Sequence, residues 1–330
     1  MFAVYADHPS PQDPLAALRL GERPDPDIPD GWVRVRMTHA SLNRHDLFTL
    51  RGITAHPRGL AFPLILGNDG AGLLDDGTPV ALYPMLGSPG WRGDETLDPE
   101  WSILGEFAQG VFSRFAAVPR RNAVPLPEGL SPLHASVLGT AWLTAWKALF
   151  HASGLRPGGT LLVQGASGGM STALIQLGRA AGFEVFATSR HPVGRELAEK
   201  LGAHRVFASG EPLPRKVQAV VDNVGAATWE HSLEWVERGG TVVVTGGTSG
   251  MKVSLDLLPL IARQITLRGS IMGSLEDFRA MMRFLAANRV TPEIGRVLPL
   301  ERAEEAFRDM EQGRTHGKTV FTIRATGDVA

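Results

Sequence analysis

Two short clusters in the middle of the chain carry residue types that bind phosphate. The first is Gly165-Ala166-Ser167-Gly168-Gly169-Met170. Glycines permit a tight turn and let backbone N–H groups approach a pyrophosphate at the positive end of a helix. Gly165, Ser167, Gly168, Gly169 and Met170 are therefore candidate pyrophosphate contacts. The second cluster is Thr188-Ser189-Arg190, with Arg195 just beyond it. NAD-preferring domains place an acid about 20 residues past the glycine turn to hold the ribose 2′-hydroxyl. Here the strand tip has no Asp or Glu, and Glu184 stands at the strand's other end. A hydroxyl beside a guanidinium suits a 2′-phosphate through charge-assisted hydrogen bonds. This points to NADP(H), with Ser189 and Arg190 as contacts and Arg195 as a third. The competing readings are an ordinary strand–helix turn and solvated loop residues.

The elements around these clusters have the order that such a site needs. An apolar run, 160–164, enters the glycine turn, and a helical pattern at Met170, Ala173, Leu174 and Leu177 leaves it. A second strand runs 184–188. That is strand, glycine turn, helix, strand, the opening unit of a doubly wound dinucleotide fold. The alternation continues: helix 193–201, strands 205–207 and 217–221, helix 228–237, strand 240–245, helix 256–263 and strand 266–271. Apolar, β-branched strands separated by helices suit a parallel sheet covered on both faces, with ligands at the strand C-termini. The last stretch reads as helices 275–288 and 301–312 and a strand 318–323. Residues 1–127 differ. They are rich in Pro and Gly, with alternating strand candidates such as Trp32-Val33-Arg34-Val35-Arg36 and a polar lobe at 87–109. From Pro132 the composition shifts to long apolar elements.

The 330 residues suffice for two domains, each with its own core. A net charge of −1 argues against nucleic acid or an anionic membrane as partner. With no cysteine the chain has no disulfide, no thiolate metal ligand and no thiol nucleophile. The N-terminal sequence lacks a basic segment followed by an apolar one, so a cytoplasmic protein is expected. The apolar stretch 133–152 is long enough to invite a membrane reading, but Lys147 and the soluble-type flanks favour one buried helix, 133–153.

Several stretches in order, HASLNRHDLFTLRG (39–52), FPLILGNDGAG (62–72), GTAWLTAWKALF (139–150), QGASGGMSTALIQLGRAAGFEV (164–185), VVDNVG (220–225), GGTVVVTGGTSG (239–250) and HGKTVFTI (316–323), run nearly the length of the chain. As a set they resemble the medium-chain dehydrogenase/reductases, in the zinc-independent quinone oxidoreductase branch. The resemblance implies an α/β chain with a GroES-like β-rich catalytic domain, residues 1–127 and 274–330, and an inserted Rossmann domain, residues 128–273. It also implies that Asn223, Val224, Thr245, Gly246, Ser270 and Met272 line the path from adenosine to nicotinamide, with Lys318 near the cofactor from the tail. Plain strand-end roles remain open for each. One departure stands in the glycine turn, where the family's third Gly is Ser171.

In the family's zinc alcohol dehydrogenases the catalytic ligands fall, by motif, at the positions of Asn43, Asn68 and Thr140, where Cys, His and Cys are usual. Asn and Thr are poor zinc ligands. The lobe that holds four cysteines in those relatives holds none here. His39 and His45 lie near the site in sequence but lack a third ligand, so no metal is expected. A simple ketone develops localised charge on oxygen under hydride attack and needs a Lewis acid or strong donors. A quinone or enone spreads that charge. The expected reaction is therefore hydride transfer from NADPH to a quinone or α,β-unsaturated carbonyl. The alternatives are a reductase of unsaturated acyl or short-chain carbonyl substrates, and a non-catalytic NADPH-binding protein. Asn43 is the candidate for orienting carbonyl or ribose, with capping of its loop as the competing role, Asp46 for holding the loop or shaping the site, and Thr140 for facing the nicotinamide. Relatives often carry a Tyr where this chain has Phe48, so the proton donor is left to water, with Tyr83 as a remote alternative. The strand near 266–271 would be a sheet edge, where family members often pair, which suggests a homodimer.

Overall fold

The computed structural model describes residues 1–54 and 59–324. The chain forms two compact units, Met1–Thr140 with Ser274–Ala330, and Ala141–Gly273. The first boundary falls at residue 140 and not at 128. The reason is local: the short helix Pro132–Ala135 packs on strands Trp32–Ser41, Asp69–Leu73 and Pro79–Leu82 of the first unit.

The first unit is built on strand Trp32–Ser41. Val33, Val35 and Met37 face the core while Arg34 and Arg36 face outward, the period-two pattern of a half-buried strand. It pairs antiparallel with Asp69–Leu73 and Phe115–Pro119, and with the C-terminal strand Lys318–Thr322. In this register Ser41 lies opposite both Asp69 and Val320, so three distant stretches of chain meet at one strand end. The helix α1, Arg44–Leu50, follows at once. Its Leu47 and Leu50 enter a core with Leu42, Leu66, Phe112, Phe307 and Phe321. Phe112 meets Phe321 edge-on with centroids 5.1 Å apart, which anchors the C-terminal strand. A further strand, Ile294–Pro299, pairs parallel with it. The sequence reading lacked this strand because its alternation is weak.

Residues 87–109 are held by carboxylates. Asp98 accepts the N–H of Ser88 at 2.6 Å and of Glu100 at 2.9 Å. The buried Glu95 accepts from Tyr83 Oη at 3.3 Å and from the Leu275 N–H at 3.1 Å. Tyr83 is thus enclosed, packed on Phe278 with centroids 5.8 Å apart. It serves the fold, not proton donation.

The second unit carries a six-stranded parallel sheet: β1 Thr160–Val163, β2 Glu184–Ser189, β3 Arg205–Ala208, β4 Val217–Asp222, β5 Val236–Val244 and β6 Thr266–Gly269. Its order is 3-2-1-4-5-6, the doubly wound dinucleotide order. Leu162, Phe186, Val220 and Val242 fill one core of the sheet. Helices α2 (Gly169–Ala180), α3 (Pro192–Lys200) and α4 (Leu257–Arg263) stand among the connections. The helix expected over 133–153 forms as a short helix, Pro132–Ala135, followed by an unbroken helical run over 138–152 in which Leu143–Lys147 is α-helical and Leu138–Trp142 and Ala148–Ala152 are widened to π geometry. Ser136 and Ser153 return their hydroxyls to the carbonyls of Leu133 and Leu149, and the boundary between the units falls inside the run. Among the described residues no helix is long and apolar enough to cross a membrane.

Candidate functional site

In the first unit the polar residues gather on Asp69. Its Oδ2 accepts from Ser41 Oγ at 3.2 Å, Asn43 Nδ2 at 2.9 Å and Lys318 Nζ at 3.3 Å. Its Oδ1 accepts from Thr140 Oγ1 at 2.5 Å. The strand register supplies Ser41 and Lys318, and a glycine admits Thr140. A Cβ on Gly139 would stand 2.8 Å from Asp69 Oδ1 and 3.0 Å from Pro84. Lys318 donates also to Asn43 Oδ1 at 2.5 Å and to the Leu42 carbonyl at 3.0 Å, so its ammonium has three acceptors. Asp69 is fully buried and Lys318 is 3% exposed. Burial lowers the lysine's pKa, while Asp69 pulls it back up.

Beside this pair, Asp46 holds the loop. Its two oxygens accept the N–H groups of Asn43 at 2.8 Å and Gly67 at 2.9 Å. Burial pushes its pKa up to about 6 against those two bonds and against His45. His45, in the first turn of α1, sets Nε2 3.2 Å from the carboxylate of Glu106. Burial alone would lower the imidazole's pKa, but the hydrogen bond and charge of Glu106, helped by Asp46 and Asp69, leave it raised. Asn68 donates Nδ2 to the Leu104 carbonyl at 2.6 Å, and its Oδ1 is buried without a partner.

These contacts alter the roles expected from sequence. Asn43 was the candidate for orienting a carbonyl, but Oδ1 receives Lys318, and Nδ2 serves Asp69 and the Ser41 carbonyl at 3.5 Å. Its side chain is a brace between lysine and aspartate. Thr140 gives its hydroxyl proton to Asp69. Lys318 belongs to this cluster, with its three N–H groups directed at the first unit. The donor set at 43, 68 and 140 does not fit zinc: it is two amides and a hydroxyl, and a buried ammonium already touches Asn43. Sequence reasoning passed over Asp69 and Glu106, which no local pattern marks because each acts through a partner far along the chain, and it set His45 aside as a histidine without enough partners for a metal.

In the second unit the residues expected around a dinucleotide gather at the C-terminal ends of the strands. Gly165 has φ +72°, and a Cβ there would stand 2.7 Å from Val224, so this turn needs glycine. No side chain caps α2, leaving the first N–H groups of its first turn available to an anion. Ser171 fits where the family's third glycine would be: it is buried and donates Oγ to the Gln164 carbonyl at 3.2 Å. The close helix–strand approach is made by Gly178, whose Cβ would lie 2.9 Å from Val185. Asn223 reaches Ser171 Oγ at 3.4 Å, and Thr245 reaches Met170 Sδ at 3.4 Å. Gly246 lies against the Asn223 carbonyl. Ser270 follows β6, with its N–H on the Val244 carbonyl and its Oγ buried without a partner. Met272, at φ +46°, lies against Thr144. At the tip of β2, Ser189 is buried, Arg190 is exposed and Arg195 donates to the Ser189 carbonyl at 3.1 Å. Uncapped helix, positive-φ glycine and exposed guanidinium fit a dinucleotide phosphate chain.

Comparison with known proteins agrees with both halves. Residues 29–128 match the family described as alcohol dehydrogenase GroES-like domain, and residues 169–287 the family described as zinc-binding dehydrogenase. A quinone oxidoreductase of Mus musculus is 28% identical over 284 residues, covering 80% of this chain and 81% of that protein. The acrylyl-CoA reductase AcuI of Ruegeria pomeroyi is 28% identical over 325 residues, covering 91% and 92%. The crystal structure of an NAD-dependent alcohol dehydrogenase superposes with a TM-score of 0.91 at 30% identity, over 98% of this chain and 100% of that one.

Two outcomes follow from the cluster. Lys318→Met leaves Asp69 buried and unpaired, and urea unfolding should show a loss of about 3–5 kcal/mol. Adding Asp69→Asn should recover part of it, and a double-mutant cycle with no coupling would disprove the pair. The second concerns Asp46. Its folded-state pKa lies above the unfolded value, so the folded state holds more protons and stability falls as pH rises between them. The unfolding free energy of wild type minus that of Asp46→Asn should therefore drop by up to about 3 kcal/mol from about pH 4 to about pH 6, then level off. A flat difference would refute the shift.

Proposed function

The chain belongs to the medium-chain dehydrogenase/reductase superfamily, and on that premise we propose that it reduces quinones or α,β-unsaturated carbonyls with NADPH and without zinc. The observation that carries this reading is the buried Lys318–Asp69 pair braced by Asn43, standing among the positions where zinc relatives place ligands. With amide and hydroxyl side chains there and a fixed ammonium beside them, the chain offers no Lewis acid for a simple ketone. A conjugated acceptor spreads the incoming charge and needs none.

When bound, the cofactor supplies the hydride from its nicotinamide ring. The chain's own residues bind and orient. Gly165 to Met170 offer backbone N–H groups to the pyrophosphate at the start of α2. Arg190, with Arg195 fixed on the Ser189 carbonyl, gives the 2′-phosphate a cationic tip, and Ser189 closes its base. Asn223, Val224, Thr245, Gly246, Ser270 and Met272 shape the strand ends towards the nicotinamide. The reductase named for acrylyl-CoA favours a second reading within the same chemistry, in which the acceptor is an unsaturated acyl thioester.

A panel of quinones, alkenals, an unsaturated acyl thioester and simple aldehydes, followed by NADPH oxidation, tests the reading. Turnover of conjugated acceptors unaffected by chelation is expected. Tight NADPH binding without turnover would make this a binding protein, and chelator-sensitive turnover of aldehydes alone would overturn the zinc-free mechanism. Arg190→Ala should raise the KM for NADPH about tenfold or more and leave that for NADH nearly unchanged. Equal effects would return the preference to NAD, the cofactor named for the solved relative.

We also propose that a second copy covers the β6 edge. α4 has no buried residue, and Leu257, Leu258 and Ile261 are 59%, 73% and 69% exposed beside that edge strand. Ile261→Glu should convert a sedimenting dimer to monomer with unchanged far-UV circular dichroism. A wild-type monomer at micromolar concentration would sink the proposal.

A further inference from the structure

Helix interiors disfavour glycine, which loses more conformational freedom on folding than any other residue. Gly194 nevertheless stands buried in the first turn of α3. Its backbone does not ask for glycine: Gly165, Gly182 and Gly202 take a positive φ in this unit, and Gly194 does not. Space does. A Cβ built on Gly194 would stand 2.3 Å from Ser189 Oγ, 3.2 Å from Ser189 Cβ and 3.1 Å from Ser167 Cβ. One methyl group would take the place of the Ser189 hydroxyl. That hydroxyl differs from those around it. Thr188, its neighbour, donates Oγ1 to Gln164 at 2.5 Å. Ser189 is 3% exposed and its carbonyl accepts from Arg195 at 3.1 Å. Its Oγ forms no hydrogen bond among the described residues, yet it is not sealed from solvent as the unpartnered Ser270 Oγ is. A nearly buried hydroxyl left unmatched beside an exposed Arg190 is a donor kept for a ligand.

Resting on the NADPH reading above, we propose that Gly194 is a specificity-determining residue for the 2′-phosphate, because its missing side chain keeps the Ser189 hydroxyl in place as a phosphate donor. The residues that make this seat, Ser167, Ser189, Arg190, Gly194 and Arg195, all belong to the second unit. The Ser189 O–H donates to a phosphate oxygen while Arg190 supplies the charge. The Arg195 guanidinium, tied to the Ser189 carbonyl, holds the backbone from which that hydroxyl projects. Any side chain at 194 strikes Ser189 Oγ first and turns it out of the seat. The loss falls on the phosphate. A hydrogen bond to a phosphate oxygen is charge-assisted and about twice as strong as one to a neutral ribose hydroxyl, so a cofactor without the phosphate forfeits less. The glycine that α3 carries against helix propensity is thus explained by an oxygen on the neighbouring strand, and the discrimination lies in a residue that itself offers the ligand no side chain.

The test is calorimetric binding of two probes that differ in one group, adenosine 2′,5′-bisphosphate and adenosine 5′-monophosphate. Wild type should prefer the bisphosphate. Gly194→Ala should weaken bisphosphate binding about tenfold or more and monophosphate binding less than about threefold, with unchanged far-UV circular dichroism. Ser189→Ala should do the same. Adding Gly194→Ala to Ser189→Ala should cost less than about twofold more, because the new methyl then enters the place of the lost oxygen. A glycine needed only to pack α3 would give another pattern, an equal loss for both probes that persists without the hydroxyl, and that result overturns the proposal. So does a bisphosphate preference kept in full by Gly194→Ala, which leaves the NADPH reading standing on Arg190. If wild type binds the two probes alike, the NADPH reading fails and this role fails with it. Should Gly194→Ala not fold, Ser189→Ala, which adds no bulk, must still lose the preference, and a preference unchanged there refutes the seat.

Discussion

A buried ammonium beside a buried carboxylate is the constraint that organises the first unit. Neither Lys318 nor Asp69 would be tolerated there alone, since an isolated ion loses several kcal/mol of hydration. Together they require Asn43 to bridge them and Thr140 to satisfy the second carboxylate oxygen. This explains why the C-terminal strand lies in the first unit. Lys318 must sit at the end of strand Trp32–Ser41, and the antiparallel register opposite Ser41 places it there. The phenylalanines behind it, Phe112 and Phe321, supply the apolar contact that holds the strand while its first residue carries charge into the interior.

The same constraint narrows the chemistry. Polar side chains at the heart of a site serve a substrate only with donors or acceptors left over. Here the lysine, the asparagine and Asp69 are matched by one another and Asp46 by two backbone N–H groups, so the cluster is a rigid polar platform more than a set of free hands.

What was legible in the sequence is what local pattern controls. Strand 160–164, helix 169–181 and strand 184–188 were readable from apolar periodicity and glycine, and the structure places them within a residue or two. Helix 275–288 was readable because its apolar face repeats and Ser274 begins it with a capping box. What was not legible depends on partners brought together by topology. Glu106 lies in a lobe whose sequence has no period, and nothing near it announces His45. The expected helix over 133–153 forms as two helical pieces, because hydropathy records apolar content but marks neither the break after Ala135 nor the turns that widen to π geometry. Asn43 and Lys318 were marked as functional by motif position, yet motif position says nothing of where an amide or an ammonium directs its hydrogen bonds.

The glycine turn of the second unit makes the same point from the other side. Glycines let the chain turn, but a phosphate cradle also needs its strand ends fixed, and here side chains outside any motif do that. Gln164 accepts from Thr188 Oγ1 at 2.5 Å and donates to His231 Nδ1 at 3.0 Å and Ser232 Oγ at 3.1 Å. Ser232 donates to Asp222 at 2.7 Å, and Asp222 in turn gathers the N–H groups of Val224 and Gly225. With His231 Nδ1 accepting, its Nε2–H is left to donate to the Glu211 carbonyl at 2.8 Å, which sets the tautomer. One buried chain of hydrogen bonds thus ties the C-terminal ends of β1, β2 and β4, the three strands whose tips carry the turn, the cationic tip and Asn223. Breaking it anywhere would leave the glycines in place and the cradle without fixed walls, so the specificity of the turn lies in Gln164 and Asp222 as much as in the glycines between them.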